Sequence, residues 1–525
     1  MPPARHRLLA LCLMLASLPT LAAGSQEAET VDPSALTPAQ GMLTLDYRKL
    51  TLKGGGSFDL LGVHYLHALN DWLYLGFGIN GPLVEGAYGG FFTVDTTLAA
   101  QKKLSDNWFV HAGLSYGGGG GGATVRQIKT LSGSGRYLKK QVGLGYEFKG
   151  VQYSVNYVST DIADSPIKSA GLGFQIQKPL SFQAGSLADA GKRVVPGHLS
   201  FRDHDSIVSL ELGQMTQIKA KGSYRGAIGL VSPQFSQFFS QDHYLYFGFD
   251  LGVTGLDWYN QIHGGVGRKI ALSPSWNLYA QVGLGSGGWV TDTIDTGAGL
   301  LVYPKLKAEY LWDKDTGVSL SAGYLAAPKG SSRNVVVGLA LNSRLSGGAV
   351  SPGGADADLR LHGLRIHLYN NELRGLNHNG QNRHKLAMSV LQVDSVINKS
   401  LYIPVQIGGA TSDFNGYAGY AEMFAGLGWH SASGKKLQTF AQLMIGLNDL
   451  GVNKQEDPGP LLNASIGMNY ALNDRLAIYG QIGKTASINP YLRSHHKNNF
   501  ESTSLGLGLS YRFALPSRTA RRQQS

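Results

Sequence analysis

The segment Val151-Gln-Tyr-Ser-Val-Asn-Tyr-Val158 alternates apolar and polar residues one by one. A period of two puts the two kinds of side chain on opposite faces of a β-strand, whereas a helix would need a period of 3.6 residues. The segments Trp276–Leu284 and Ser504–Tyr511 alternate in the same way. Strands of about ten residues with one apolar face are typical of membrane-spanning barrels. The pattern therefore predicts an all-β fold, a transmembrane antiparallel β-barrel.

Two kinds of connection take turns between the predicted strands. The short polar ones are 69–71, 104–107, 148–150, 272–275 and 472–475, and the longer ones are 117–135, 285–299, 370–383, 448–460 and 485–503. Barrels inserted from the periplasm have short periplasmic turns and longer extracellular loops. Trp72, Trp108 and Trp276 each follow a short turn, which predicts an aromatic girdle at that interface.

The strand pattern occurs three times along the chain. Similar segments that begin at Trp72, His243 and Ser400 mark the third strand of each copy, and the order of strands and loops after them is the same. Eight strands per copy give about 24 strands as three repeats of eight. Two architectures fit this repetition: a single 24-stranded barrel with a wide lumen, and three tandem eight-stranded barrels. We favour the single barrel because the second connector between copies is short.

Composition and the N-terminus indicate export to a membrane. Glycine is 71 of 525 residues and charged residues are only 15%, which suits strands with one face in lipid. Arg5 and Arg7, the apolar run 8–18 and the small residues before Gly24 have the pattern of a cleaved signal peptide. Cys12, the single cysteine, lies inside that signal, so no disulfide is expected. The net charge of +11 shows no concentrated basic stripe, so we expect no nucleic-acid partner.

These observations divide the chain into eight segments. They are a signal peptide (1–23), a short periplasmic N-terminal segment (24–41), barrel repeat 1 (42–178), a periplasmic connector (179–206), barrel repeat 2 (207–342), a second connector (343–356), barrel repeat 3 (357–513) and a periplasmic C-terminal tail (514–525).

The final strand carries a resemblance to a known class. The run Gly506-Leu-Gly-Leu-Ser-Tyr-Arg-Phe513 resembles the C-terminal assembly signal of Gram-negative outer-membrane β-barrel proteins, through Leu505, Leu507, Leu509, Tyr511 and Phe513. The resemblance implies insertion by the barrel assembly machinery into the outer membrane of a Gram-negative bacterium, with both termini in the periplasm. In that class the aromatic residue is usually last, whereas here 514–525 follow it.

The residues that chemistry could use are few. His64, His111, Ser115 and Asp59 are the candidates for an outer-membrane lipid hydrolase, but they form no nucleophile–base–acid arrangement that the sequence specifies. We therefore expect a non-enzymatic protein with no catalytic residue, no cofactor and no metal site. The run of glycines at 117–122 lacks the strand-to-helix context of a phosphate-binding loop, so we expect a flexible loop there.

Two basic clusters lie in predicted extracellular loops. They consist of Arg493, His495, His496 and Lys497 in one loop and of Arg383, His384 and Lys385 in another. They are candidates for contacts with anionic lipid, the phosphates of lipopolysaccharide above all. The plainer interpretation is that they are solvated loop tips.

The function expected from 24 strands with few lumen charges is a channel or export conduit, for a polysaccharide or a polypeptide. The alternative is a structural or surface-interaction outer-membrane protein made of small filled barrels. The partners expected are outer-membrane lipid and lipopolysaccharide, the barrel assembly machinery and periplasmic secretion partners.

Overall fold

The computed structural model describes residues 29–122, 131–194, 205–218, 221–256, 259–287, 293–312, 316–346, 359–378, 381–412, 420–431, 436–449, 461–488 and 500–518. Strands make up almost all of these residues, with two single-turn 3-10 helices at Pro33–Ala35 and Leu187–Asp189. Among the described residues no helix has the length and apolar character to cross a membrane. The all-β class predicted from the sequence is confirmed.

The strands are numbered in chain order. Barrel 1 contains β2 (Thr37–Thr51), β3 (Ser57–Ala68), β4 (Leu73–Gly81), β5 (Phe92–Lys103), β6 (Trp108–Gly120), β7 (Arg136–Phe148), β8 (Val151–Ile162) and β9 (Lys168–Ala184). Barrel 2 contains β11 (Asp205–Gln217), β12 (Ile228–Phe238), β13 (His243–Thr254), β14 (Asn260–Ala271), β15 (Trp276–Gly287), β16 (Leu300–Leu311), β17 (Thr316–Ala326) and β18 (Arg333–Ser346). Barrel 3 contains β19 (Leu359–His378), β20 (Gln381–Val396), β21 (Leu401–Ala410), β22 (Ala421–His430), β23 (Leu437–Asp449), β24 (Leu461–Ala471), β25 (Leu476–Ser487) and β26 (Phe500–Arg518). Two short strands, β1 (Thr30–Val31) and β10 (Arg193–Val194), lie outside the barrels.

Each copy of the repeat closes on itself. The last strand pairs with the first strand of the same copy: β9 with β2, β18 with β11 and β26 with β19. The three repeats of eight strands are confirmed, and so is the alternative of three eight-stranded barrels. The single 24-stranded barrel that we favoured is wrong, because self-closure leaves no free edge through which one copy could continue into the next.

The closing strands are longer than the sequence predicted. β9 continues to Ala184, β18 to Ser346 and β26 to Arg518, beyond the expected ends of the repeats. The apolar–polar alternation is interrupted there, but backbone pairing continues, as between Leu361 and Pro516. Residues 370–378 and 381–383 likewise lie in β19 and β20 rather than in a loop. Backbone hydrogen bonds between neighbouring strands thus extend these strands beyond the residues in which apolar and polar side chains alternate.

The outer surface of the barrels is apolar. In β8 the residues Val155 and Tyr157 point outward while Ser154 and Asn156 are buried inside, as the alternation predicts. The tryptophans at the short-turn ends of their strands are about half exposed: Trp72, Trp108, Trp276, Trp312 and Trp429. An apolar band that ends in a row of tryptophans is the surface expected of a barrel in a bilayer.

The three barrels pack side by side. We call the end with the short turns the terminal end and the opposite end the loop end. At the terminal end, Phe182 of barrel 1 packs on Phe513 of barrel 3, and Gly185 exchanges backbone hydrogen bonds of 2.8 and 3.0 Å with Ala514. At the loop end, the N–H of Gly89 donates to Gly297 between β15 and β16, and the carbonyl of Leu83 accepts from Leu300 at the start of β16. Contacts at both ends hold the barrels in one assembly.

The N-terminal segment and the first connector join the terminal end of barrel 3. β1 pairs in parallel with β10, which pairs in turn with β19 at Arg360. The Lys192 ammonium lies 3.0 Å from Asp189 and 3.2 Å from Glu29, and hydrogen bonds to these carboxylates raise the pKa of Lys192. The two segments that precede and follow barrel 1 are thus tied to barrel 3.

Candidate functional site

The interior of barrel 1 contains a buried ionic network. Asp46 accepts hydrogen bonds from Arg48 and from Lys139 at 3.1 Å, and its carboxylate lies 3.1 Å from Nδ1 of His64. The other ring nitrogen of His64 lies 3.4 Å from Asp95. These side chains come from four different strands, so they cross the lumen and connect its walls.

The interior of barrel 2 has a network of the same kind. Lys305 lies 2.6 Å from Glu211, Arg344 lies 2.5 Å from Glu309, and His263 lies 3.2 Å from Asp250. Glu309 also accepts hydrogen bonds from Tyr279 at 2.6 Å and from Asn277 and Asn342. A buried charge without a partner is costly, so each carboxylate here is held by several donors.

Barrel 3 repeats the arrangement with an arginine. Arg365 lies 3.0 Å from Asp394, which His367 approaches to 2.9 Å. The guanidinium stacks over Tyr402 at 4.2 Å from the ring centroid, and Gln392 donates to the second oxygen of Asp394 at 2.7 Å. Each barrel therefore combines an Asp–His contact with a buried cation paired to a carboxylate.

Apolar layers close the barrels nearer the loop end. Phe58, Phe91 and Tyr137 are fully buried in barrel 1, and Tyr259 and Tyr303 are fully buried in barrel 2. Eight strands leave an interior just wide enough for side chains to fill it. Over the described residues the three interiors are packed with side chains, and none of them forms a wide lumen.

A small cavity remains in the terminal half of barrel 2. Its volume is about 20 Å³, and a single water needs roughly 10–15 Å³ of such volume. Its wall contains Ser209, Ser319, Lys307 and Glu309. Another cavity, of about 60 Å³, lies at the loop end where Phe92, Phe249 and Ile407 bring the three barrels together.

The candidate hydrolase residues do not form a catalytic group. Asp59 accepts backbone hydrogen bonds from residues 83–85 and so holds the connection between β4 and β5. His64 belongs to the ionic network described above. His111 contacts Asn156 at 2.7 Å and Ser154 at 3.1 Å, whereas Ser115 bonds to Thr97 at 2.7 Å. The structure therefore pairs His111 with a different serine from the one that the sequence suggested, and no described carboxylate is among its hydrogen-bond partners.

The assembly-signal residues all lie on β26. Leu505 and Leu507 point outward and are well exposed, Leu509 is half-buried, and Tyr511 and Phe513 turn toward barrel 1. The ring of Tyr511 lies 4.0 Å from that of His67. The aromatic end of the predicted signal is therefore also an inter-barrel contact.

The basic candidates are only partly described. Lys385 is exposed on β20 at the loop end and lies 3.7 Å from Glu372. Arg383 and His384 belong to β20, but their side chains fall outside the described residues, as do Arg493, His495, His496 and Lys497 altogether. The described residues contain no group of three or more His, Cys, Asp or Glu placed to hold a metal ion.

The glycine run has a role that the sequence did not suggest. Gly117 to Gly120 belong to β6, which ends at Gly120. A Cβ added at Gly118 would lie 1.5 Å from the carbonyl oxygen of Ala410 in barrel 3. The expected flexible loop is thus in part a strand that lets two barrels approach by their backbones.

Neither a family model nor a curated protein matches this sequence. Solved structures that it matches include Neisserial surface protein A, with 13% identity over 29% of this chain and 96% of that one, at a TM-score of 0.23. The siderophore receptor PirA from Pseudomonas aeruginosa matches with 10% identity over 90% of this chain and 80% of that one, at 0.26. A bacterial polysaccharide outer-membrane secretin matches with 7% identity over 90% and 98%, at 0.22.

Proposed function

We propose that this protein is a non-enzymatic structural or surface-interaction protein of the Gram-negative outer membrane, in which three filled barrels form one platform. The observation that carries the proposal is the packing of each barrel interior. Charged side chains span the lumen and apolar layers close it toward the loop end. Such interiors stabilise a barrel rather than conduct through it.

The outer surface supports the membrane location. Side chains such as Leu172, Leu320 and Leu507 are more than 60% exposed on strands of all three barrels. Exposure of such an apolar surface to water is unfavourable, whereas the acyl chains of a bilayer solvate it. With the tryptophan row at the terminal end taken as the inner interface, the termini lie in the periplasm and the loops outside.

A conduit for a polysaccharide or a polypeptide was expected from one wide lumen. Three self-closed barrels do not provide that lumen, so we base the proposal on the alternative function. The partners we propose are lipid and lipopolysaccharide around the apolar band, and the barrel assembly machinery acting on β26. The apolar outer surface supports the lipid partners, and the resemblance of the closing strand to an assembly signal supports the assembly machinery.

Planar-bilayer recording and electron microscopy of the purified protein test this proposal. We expect membranes without persistent open-pore currents, and images of three small adjoining rings. A steady conductance of the size of a general porin, or one wide ring, would contradict filled barrels. A variant in which Lys305 and Glu211 are both replaced by Ala lacks one ion pair across barrel 2. Its recording shows whether the side chains that fill the lumen are the cause of the absent current.

A further inference from the structure

Lys307 is a buried cation in an unusual position. It is only 6% exposed inside barrel 2, on β16. The other fully buried cations of the described residues all have a carboxylate within 4.0 Å: Arg48 and Lys139 share Asp46, Lys305 has Glu211, and Arg365 has Asp394. Lys307 has neither such a carboxylate nor a hydrogen bond to the described protein.

The nearby carboxylates are already occupied. Glu211 bonds to Lys305 and Ser321, and Asp250 bonds to Gln261 and faces His263. Glu309 shares the cavity wall with Lys307, but its oxygens accept from Arg344 and three neutral donors. Each of these carboxylates thus has a nearer partner, and Lys307 is the fully buried cation of the described residues that has no ion-pair contact within 4.0 Å.

The cavity beside Lys307 has the size and lining of a small-ion site. Its volume of about 20 Å³ fits one ion of the size of a water molecule or slightly larger. Ser319 lies in the wall and is 1% exposed, and its hydroxyl has no hydrogen-bond partner among the described residues. Ser209 adds a second hydroxyl to the same wall. A buried ammonium and two hydroxyls can act as donors, which is what an anion needs.

We propose that barrel 2 binds one small monovalent anion, of the halide class, between Lys307 and Ser319. The anion gives the Lys307 ammonium a contact partner and accepts a hydrogen bond from the hydroxyl of Ser319. Larger organic anions are excluded because the cavity has no room for them. Water alone is the competing occupant.

Thermal unfolding in detergent at constant ionic strength tests the site. We expect the wild-type protein to melt at a higher temperature in sodium chloride or bromide than in sodium gluconate, with a saturable dependence on halide. Lys307→Met should lose this halide-dependent shift, and Ser319→Ala should weaken it. Lys102→Met, which changes an exposed lysine on β5 of barrel 1, is the matched control and should keep the full shift.

Crystals soaked in bromide give a second readout that does not depend on stability. We expect an anomalous peak within hydrogen-bond distance of the Lys307 ammonium. Equal melting temperatures in halide and gluconate for the wild type, or an unchanged halide shift in both Lys307→Met and Ser319→Ala, would overturn the proposal and assign the cavity to water. If Lys307→Met does not fold, Ser319→Ala and the bromide soak decide the question.

Discussion

Replacement of Gly118 by alanine should separate barrels 1 and 3 while each barrel keeps its own fold. The added Cβ would lie 1.5 Å from the carbonyl oxygen of Ala410, whereas carbon and oxygen normally approach to about 3.3 Å. The two backbones must therefore move apart by about 1.8 Å at this point. The Cβ is fixed to the backbone of β6 and the oxygen belongs to the backbone of Ala410, so no side-chain rotation can relieve the clash.

The size of the effect follows from overpacking. Extra atoms forced into a well-packed contact cost about 1–3 kcal/mol, which offsets the small gain from removing a strand glycine. The two effects together should make Gly118→Ala lower the free energy of unfolding by up to about 2.5 kcal/mol. Urea titration of the purified protein in detergent, followed by circular dichroism in the β-sheet band, measures it.

Gly171 provides the matched control. It also lies in a strand, β9, but a Cβ added there meets nothing within 4 Å. Gly171→Ala should leave stability unchanged or raise it by up to about 1 kcal/mol. If the two variants unfolded at the same urea concentration, the close approach of the barrels at Gly118 would be refuted.

Three further substitutions test other parts of the structure. Asp46→Asn leaves the buried cations of barrel 1 without their carboxylate and should destabilise that barrel by about 3–5 kcal/mol in urea titration, whereas Asp71→Asn in an exposed turn should have no effect. Phe513→Ala removes a buried ring between barrels 1 and 3 and should lower the free energy of unfolding by about 3–5 kcal/mol. An unchanged free energy would mean that this part of β26 faces lipid and not barrel 1. Lys385→Glu should weaken lipopolysaccharide binding in a pull-down assay. An equal loss of binding in Lys102→Glu, at the terminal end, would mean that Lys385 has no specific part in binding lipopolysaccharide.

The local structure was predictable because one face of each strand must be apolar. The alternation at Val151–Val158 and the turns near Trp72, Trp108 and Trp276 are where the sequence places them. Period-two patterning is a local property, so it needs no knowledge of which strands pair over long distances. The third-strand positions at Trp72, His243 and Ser400 are confirmed for the same reason.

The number of barrels was not predictable from that pattern. Closure depends on pairs such as Thr37 with Ala184 in barrel 1 and Asp205 with Ser346 in barrel 2, which are far apart in sequence. The same repeated unit and the same even strand count fit one large barrel or three small ones. The connector length that we used to choose between them misled us, because the barrels lie side by side and need little chain to step from one to the next.

The polar faces of the strands contain the information that decides closure. Asp46, His64, Asp95 and Lys139 all lie on inward faces, with both signs of charge at similar heights. In a wide lumen water would solvate such groups singly and no opposite charge would be needed nearby. In an eight-stranded barrel opposite walls are close enough for the same groups to meet, and only there can Lys139 reach Asp46 from a strand 93 residues away. Matched inward charges within one repeat are therefore a sequence indication of small, filled barrels. Among the described residues Lys307 is the fully buried cation without a carboxylate within 4.0 Å, and there barrel 2 differs from the other two.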